Sequence, residues 1–245
     1  MSFCVLFVTG TAIAHWEPTD GHKMHFPQLP DPFGWDVLVT EPKILADDWE
    51  CSETGPIRDI HFWGSWKGDD EGGVNGIWVG IYPDDRTGDY SKPASELLYE
   101  RLFSPAEFTI EWRGEVDQGW FNPNTGQYTP NDHDNFYLVN IVDIKAPYWQ
   151  QEEGQIYWLA ISVQAEGGQF GWKTADVDKY PDPYTGQHFK DDAVYDDLTV
   201  EHNWGELFDP VSYESLDLAF VITPEPATIS MLGIGGALMT LTRRR

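Results

Sequence analysis

Hydrophobic and polar residues alternate with a period of two over residues 59–66, 77–82 and 108–113. This period indicates half-buried β-strands, because successive side chains of a strand point to opposite faces of its sheet. Two further segments, 137–144 and 156–163, are almost continuously apolar, which predicts central strands that are covered on both faces. Additional strands are predicted at Trp35–Thr40, Leu97–Phe103, Phe170–Thr174 and Leu216–Ile222.

These nine segments define the expected fold class. Outside the C-terminal tail no long segment has the 3.6-residue period of a helix, so an α/β sheet is not expected. Residues 122–127 and 182–187 share a Pro and Gly spacing that is typical of hairpin or bulge turns. We predict an all-β protein, a two-sheet antiparallel β-sandwich of jelly-roll-like form over residues 35–222, with a C-terminal hydrophobic helix.

Composition narrows the classes of partner. The chain has 245 residues and a formal net charge of −26, with 41 acidic and 15 basic residues. Such a charge repels phosphate backbones, so nucleic acid is not an expected partner. Divalent cations and polysaccharides are compatible with it, as is the simpler interpretation that acidity keeps an exported protein soluble.

The N-terminus has the pattern of a secretory signal. An apolar run from Phe3 ends in Ala12-Ile13-Ala14, a small-x-small cleavage pattern, so we predict a signal peptide over residues 1–14 and a lead-in over residues 15–34. Met1-Ser2 supplies no positive charge, which leaves open an upstream start or a buried strand. Removal of this segment takes Cys4 away and leaves Cys51 without a partner for an internal disulfide.

The C-terminus, residues 223–245, has three parts in a fixed order. Pro224-Glu225-Pro226 precedes the uncharged segment 227–242, and Arg243, Arg244 and Arg245 follow directly. A helix of that length is about 24 Å long, which is short of a ~30 Å hydrocarbon core and requires local thinning or snorkelling arginines. The positive-inside rule keeps the arginines in the cytoplasm and therefore places the preceding chain outside.

This tail resembles the PEP-CTERM sorting tail of bacterial proteins associated with exopolysaccharide. The resemblance implies that an exosortase-type processing enzyme cuts near the Pro-Glu-Pro and that the hydrophobic segment contacts the membrane before processing. It also implies that the chain is exported and acts in the cell envelope or outside the cell, where the tail serves as an address.

The body of the chain resembles, more loosely, a sandwich domain of unknown function that occurs in other PEP-CTERM proteins. The likeness covers about residues 22–222 and implies a fold and a setting but no activity. The segments that carry it are Leu45-Ala46-Asp47-Asp48-Trp49, residues 60–66, Phe170-Gly171-Trp172-Lys173-Thr174 and Leu218-Ala219-Phe220-Val221-Ile222.

One acidic cluster suggests a cation. Calcium prefers several oxygen ligands from one loop, and Asp132, Asp134 and Asn135 offer three. No segment has the EF-hand spacing, and the alternative interpretation is a solvated loop. Apart from this Ca²⁺ candidate, no cofactor is expected.

The strand faces opposite the predicted core suggest a sugar. Trp63, Trp78 and Tyr82 lie on such faces with His61 beside them. Aromatic rings flanked by hydrogen-bonding groups form the surface on which a pyranose stacks. The alternative is that a second sheet or a loop covers these rings as core.

Catalytic motifs are missing from the sequence. It contains no HExxH, GxSxG or phosphate-binding glycine loop, and among 41 acidic residues any carboxylate pair is expected by chance. We therefore expect a non-catalytic structural or adhesion protein. A carbohydrate-binding module is the main alternative, and an extracellular glycoside hydrolase is the weaker one.

Overall fold

The computed structural model describes residues 16–17, 20–175, 192–199 and 203–223. Strands dominate these residues, with one 3₁₀ turn at Lys67–Asp69. The strands are β1 (Trp35–Leu38), β2 (Lys43–Glu50), β3 (Gly55–Pro56), β4 (Asp59–Trp66), β5 (Gly73–Asp85), β6 (Lys92–Pro93), β7 (Tyr99–Phe103), β8 (Phe108–Asn122), β9 (Gln127–Ile141), β10 (Gln150–Gln151), β11 (Ile156–Glu166), β12 (Phe170–Lys173), β13 (Val194–Asp197), β14 (Gly205–Glu206) and β15 (Phe220–Thr223).

Two large sheets and one small sheet contain these strands. A six-stranded sheet has the order β12-β1-β8-β9-β4-β15, and a seven-stranded sheet has the order β14-β13-β2-β11-β5-β6 with β7 also on β5. The small sheet pairs β10 with β3. The expected all-β, sandwich-like architecture is confirmed, and each of the nine predicted strands overlaps an observed one. The sheets are not purely antiparallel as predicted, because β1 pairs with β8 in parallel.

Strand pairing closes part of the six-stranded sheet into a ring. β12 pairs with β1 on one side and with the C-terminal half of β4 on the other. The pairings β12-β1-β8-β9-β4 therefore return to β12, and five strands enclose a common interior. β15 occupies the N-terminal half of β4, on the edge that β12 leaves free.

The main core lies between the large sheets, since its buried side chains come from both of them. A second, smaller cluster covers the other face of the seven-stranded sheet and includes Ile44 of β2 and Trp158 of β11. β11 is therefore buried on both faces, as the apolar run 156–163 predicts. Residues 137–141 of β9 are likewise all buried, which confirms the same prediction for that run.

Two features of the burial differ from the expectations. All eight residues of β4 are buried, including the side expected to be polar and exposed, because neighbouring chain covers that side as well. β2 has no counterpart among the predicted strands, since Asp47 and Asp48 interrupt its apolar pattern, yet both are fully buried. Burial and the charge of Asp217 raise the pKa of Asp47 well above its usual range.

The long β8–β9 hairpin carries the predicted turn. β8 ends at Asn122 and β9 begins at Gln127, and Gly126 has φ +71°, a conformation that glycine adopts without steric cost. The similar segment 182–187 lies outside the described residues.

The signal segment 1–14 and the tail 224–245 also lie outside the described residues. In the described part, no helix has the length and apolar character needed to cross a membrane. The predicted lead-in packs on the sandwich, because Met24 bridges to Cys51 and Gln28 to Phe220.

The dense core generates a stability prediction. Trp172 is fully buried, and its indole Nε1 donates to the carbonyl of Ala219 at 2.9 Å. We expect Trp172→Ala to lower the free energy of unfolding by about 3–5 kcal/mol, because it leaves a cavity and removes the indole hydrogen bond to Ala219. Trp112→Ala is the control, since that indole is 57% exposed, and its loss should stay below about 1 kcal/mol. Chemical denaturation measures both, and equal losses would contradict the described core.

Candidate functional site

A cluster of polar side chains fills the interior of the five-stranded ring. Each strand contributes one buried polar residue to this cluster: Asp36 from β1, Ser65 from β4, Gln118 from β8, His133 from β9 and Lys173 from β12. Lys173 and Ser65 both reach Gln118, although neither β12 nor β4 is a neighbour of β8 in the ring. These contacts therefore cross the interior of the ring rather than run along one sheet.

Asp36 is the centre of this network. Its Oδ2 atom lies 3.2 Å from Lys173 Nζ and 3.0 Å from His133 Nε2. Lys173 Nζ also donates to Gln118 Oε1 at 2.5 Å, and Gln118 Nε2 donates to the carbonyl of Asp134 at 2.9 Å. The side chains of Asp36, His133 and Lys173 have no solvent exposure. Burying charge is costly unless opposite charges are paired and hydrogen-bonded. The Oδ2 atom of Asp36 meets both conditions, whereas its buried Oδ1 atom has no hydrogen-bond partner in the described structure.

Both ring nitrogens of His133 face carboxylates, with Nδ1 3.2 Å from Asp132 Oδ2. Two acceptors require two N–H donors, so the geometry favours the imidazolium form. Burial alone lowers the pKa of His133, but the hydrogen bond and charge of Asp36 outweigh it, and the net pKa is raised. Burial likewise opposes ionisation of Asp36, yet Lys173 and His133 hold its pKa below the usual range. The carboxylates of Asp36 and Asp132 thus balance the charges of His133 and Lys173.

The 3₁₀ turn after β4 anchors this network to β9. The backbone N–H of Gly68 donates to Asp132 Oδ2 at 2.6 Å. In return the carboxylate of Asp69 accepts the backbone N–H groups of Asp134 and Asn135, each at 3.0 Å. Burial raises the pKa of Asp69, but these N–H donors outweigh it and lower the pKa.

The predicted calcium ligands take part in this anchoring. Asp132 is engaged by Gly68 and His133, while Asn135 Oδ1 accepts the indole N–H of Trp112 at 2.8 Å. In the described ranges no group of three or more His, Cys, Asp or Glu side chains is placed to hold a metal ion. Calcium binding by Asp132, Asp134 and Asn135 stays a prediction, and the contacts give it no support.

The predicted sugar-binding residues do not share one exposed face of the structure. His61 and Trp63 lie on β4 in the six-stranded sheet, whereas Trp78 and Tyr82 lie on β5 in the other sheet. His61, Trp63 and Tyr82 are buried, and Trp78 is half-buried against the smaller core cluster. The sequence left open the alternative that these rings belong to the core, and their burial agrees with that alternative.

Trp63 borders a cavity of about 270 Å³. Its ring meets that of Trp16 edge to face, with centroids 5.9 Å apart. Arg113 lies at this cavity and pairs with Glu17, Nη1 to Oε1, at 3.3 Å. The walls of this cavity are mainly aromatic and aliphatic. Its lining cation, Arg113, is already paired with Glu17.

Three members of the charged network, Asp36, Lys173 and His133, were not predicted as site residues from the sequence. Asp36 and Lys173 each interrupt an apolar strand pattern, and β1 and β12 align them as cross-strand partners. Opposite charges inside two otherwise apolar strands are a signal for such a pair. His133 stands inside the acidic cluster used for the calcium prediction, where only the fold reveals that its ring turns inward.

The network generates a stability prediction for a single charge. Asp36→Asn removes the shared partner of Lys173 and His133 and leaves both cations buried without it, so we expect a loss of about 3–5 kcal/mol in the free energy of unfolding. Asp143→Asn is the matched control, because that exposed carboxylate pairs with exposed Lys145 and should contribute less than about 1 kcal/mol. Denaturant titrations compare the two variants. A loss no larger for Asp36→Asn than for the control would contradict the network.

The raised pKa of His133 predicts a pH dependence. Its stabilisation is fully present below the unfolded pKa of about 6.5 and is lost as the pH rises through the raised folded pKa. The lowered pKa of Asp36 keeps that carboxylate charged at pH 5.5. The stability difference between the native chain and His133→Gln should therefore be larger at pH 5.5 than at pH 9. Thermal unfolding at both pH values tests this, with the exposed His25→Gln as control. A stability difference that grows toward pH 9 would contradict the raised pKa of His133.

Comparison with known proteins adds one match. A family model described as "Domain of unknown function (DUF7901)" matches residues 24–223, which include every member of the buried network. No curated protein and no solved structure matches the chain.

Proposed function

The chain belongs to the DUF7901 family, and we propose that it is an exported, non-catalytic protein of the cell envelope or the extracellular polysaccharide matrix. Its role there is structural or adhesive. The jelly-roll-like arrangement of the sheets and a C-terminal hydrophobic helix are parts of the same proposal.

The inaccessibility of the buried network to solvent is the observation that best supports the non-catalytic role. Asp36, His133 and Lys173 have the residue types of an acid–base site, but their side chains have no solvent exposure. A catalytic group must come within hydrogen-bond reach of its substrate. These groups neutralise each other instead, which supports a role in holding the ring together.

The boundary between domain and tail supports the sorting part of the proposal. β15 ends at Thr223, and the family match also ends at residue 223. The Pro-Glu-Pro segment begins at the next residue. A cut near Pro224–Pro226 would therefore fall beyond the last strand and leave every described pairing intact. An exosortase-type enzyme is the proposed partner for this step.

The two alternatives have different standing. The sugar-binding face loses its residue-level support, because its aromatic residues are divided between two sheets and mostly buried. A glycoside hydrolase needs two facing carboxylates about 5–10 Å apart beside an open site. The buried network offers no such opening.

Intact-mass measurement tests the sorting proposal. We expect the chain, expressed in a host that has the sorting enzyme, to appear in the envelope or medium with a mass that lacks Arg245. A variant with Pro224→Ala and Pro226→Ala should keep the tail, because the recognition motif is gone. A native product that retains Arg245 and stays in the cytoplasm would remove the basis of the proposal.

A further inference from the structure

A second cavity of about 270 Å³ lies beside Trp120, at the turn end of the β8–β9 hairpin. Four residues that line this cavity form two cross-strand pairs of the hairpin, Trp120 with Thr129 and Asn122 with Gln127. All four therefore project from the same face of the hairpin. Lys67 and Gln169 complete the wall, and the backbone N–H of Lys67 donates to the carbonyl of Gln169 at 3.0 Å. Three segments distant in sequence are thus held around one space by backbone hydrogen bonds.

The cavity is supported from below by the buried network. The ring of Trp120 meets the imidazole of His133 edge to face, with centroids 6.2 Å apart. Trp120 itself is only 2% exposed, so it forms a fixed floor rather than an open stacking surface. The rim is different, because Gln127, Thr129 and Gln169 are exposed. Recognition at this cavity would therefore rest on hydrogen bonds and charge more than on aromatic stacking.

The lining chemistry suits a ligand rich in hydroxyl groups. Three side-chain amides and one hydroxyl can each donate and accept hydrogen bonds, as sugar hydroxyls also do. Asn122 provides an unsatisfied acceptor, since its buried Oδ1 atom has no hydrogen-bond partner in the described structure. A buried acceptor without a partner is uncommon in native proteins, and a hydroxyl donor would satisfy it.

Lys67 indicates that the ligand also carries a negative charge. Six other lysines and arginines of the described residues form ion pairs with carboxylates: Lys43, Arg86, Arg101, Arg113, Lys145 and Lys173. No described carboxylate pairs with half-buried Lys67, whose Nζ lies 5.8 Å from the centroid of the Trp120 ring. None of the six lining residues is acidic, although the chain has 41 acidic residues.

We propose that this cavity binds one pyranose ring that carries a carboxylate, a uronic acid residue. The ammonium of Lys67 pairs with the ligand carboxylate, and the amides of Asn122, Gln127 and Gln169 bind its hydroxyls. The volume is near the lower limit of about 300 Å³ for ligand pockets, which fits one ring rather than a longer oligosaccharide. This site shares no residue with the sugar-binding face that the sequence suggested, and it does not depend on where the protein acts.

Ligand-observed NMR titration of the full chain with methyl β-D-glucuronide tests the site. We expect saturable binding in the millimolar range, with methyl β-D-glucoside at least tenfold weaker because it lacks the carboxylate. Lys67→Gln should weaken glucuronide binding at least tenfold and leave glucoside binding unchanged. Gln169→Ala, at an exposed side chain, should weaken both ligands severalfold.

Lys92→Gln is the matched control, because Lys92 is also half-buried, lies 5.6 Å from the ring centroid of Tyr90, and is outside the cavity. It should bind both ligands as the native chain does. Circular dichroism of each variant verifies the fold. Equal glucuronide binding by Lys67→Gln and the native chain would overturn the proposal. Equal affinity for acetate and the glucuronide would also overturn it, since it would show a charge contact without a sugar site.

Discussion

Closure of the five-stranded ring depends on the charge balance around Asp36. Without a partner, a buried carboxylate or ammonium would cost several kcal/mol even after the protein relaxes. Lys173 and His133 reach the same oxygen of Asp36 from β12 and β9, so the three strands cannot separate without exposing an unpaired charge. The pairing of β12 with both β1 and β4 then fixes the shape of the six-stranded sheet.

The sequence was sufficient for the strands whose pattern is apolar, because burial of a strand face needs only the period of two. It was insufficient for β2, where Asp47 and Asp48 have the composition of a solvated loop. Asp47 is buried because its oxygens accept the backbone N–H groups of Asp48 at 2.7 Å and Leu218 at 2.5 Å. Leu218 lies 171 residues away in sequence. A hydrogen bond over such a separation leaves no local pattern from which it can be predicted.

The same limit explains the aromatic residues of β4 and β5. Alternation assigns side chains to two faces but does not say whether a second layer covers a face. Trp63 is covered by Trp16 of the lead-in, and Tyr82 by Trp204, which contacts it edge to face with centroids 6.2 Å apart. Both covering residues are remote in sequence from the rings that they cover. A sheet face with aromatic residues is therefore equally consistent with a binding surface and with a second core.

Net charge is a poor guide to the local chemistry of this protein. At physiological ionic strength the Debye length is about 8 Å, so exposed carboxylates beyond that distance have little effect on the cavity beside Trp120. Two carboxylates at the 3₁₀ turn that begins at Lys67 are engaged by other groups: Asp132 by Gly68 and His133, and Asp69 by the backbone of β9. Each accepts N–H donors that offset part of its negative potential. Lys67 therefore stands in a setting more favourable to an anion than the total of −26 suggests. An anion that also carries hydroxyl groups fits the proposed site better than a simple anion, because the amides of Asn122, Gln127 and Gln169 can bind those hydroxyls.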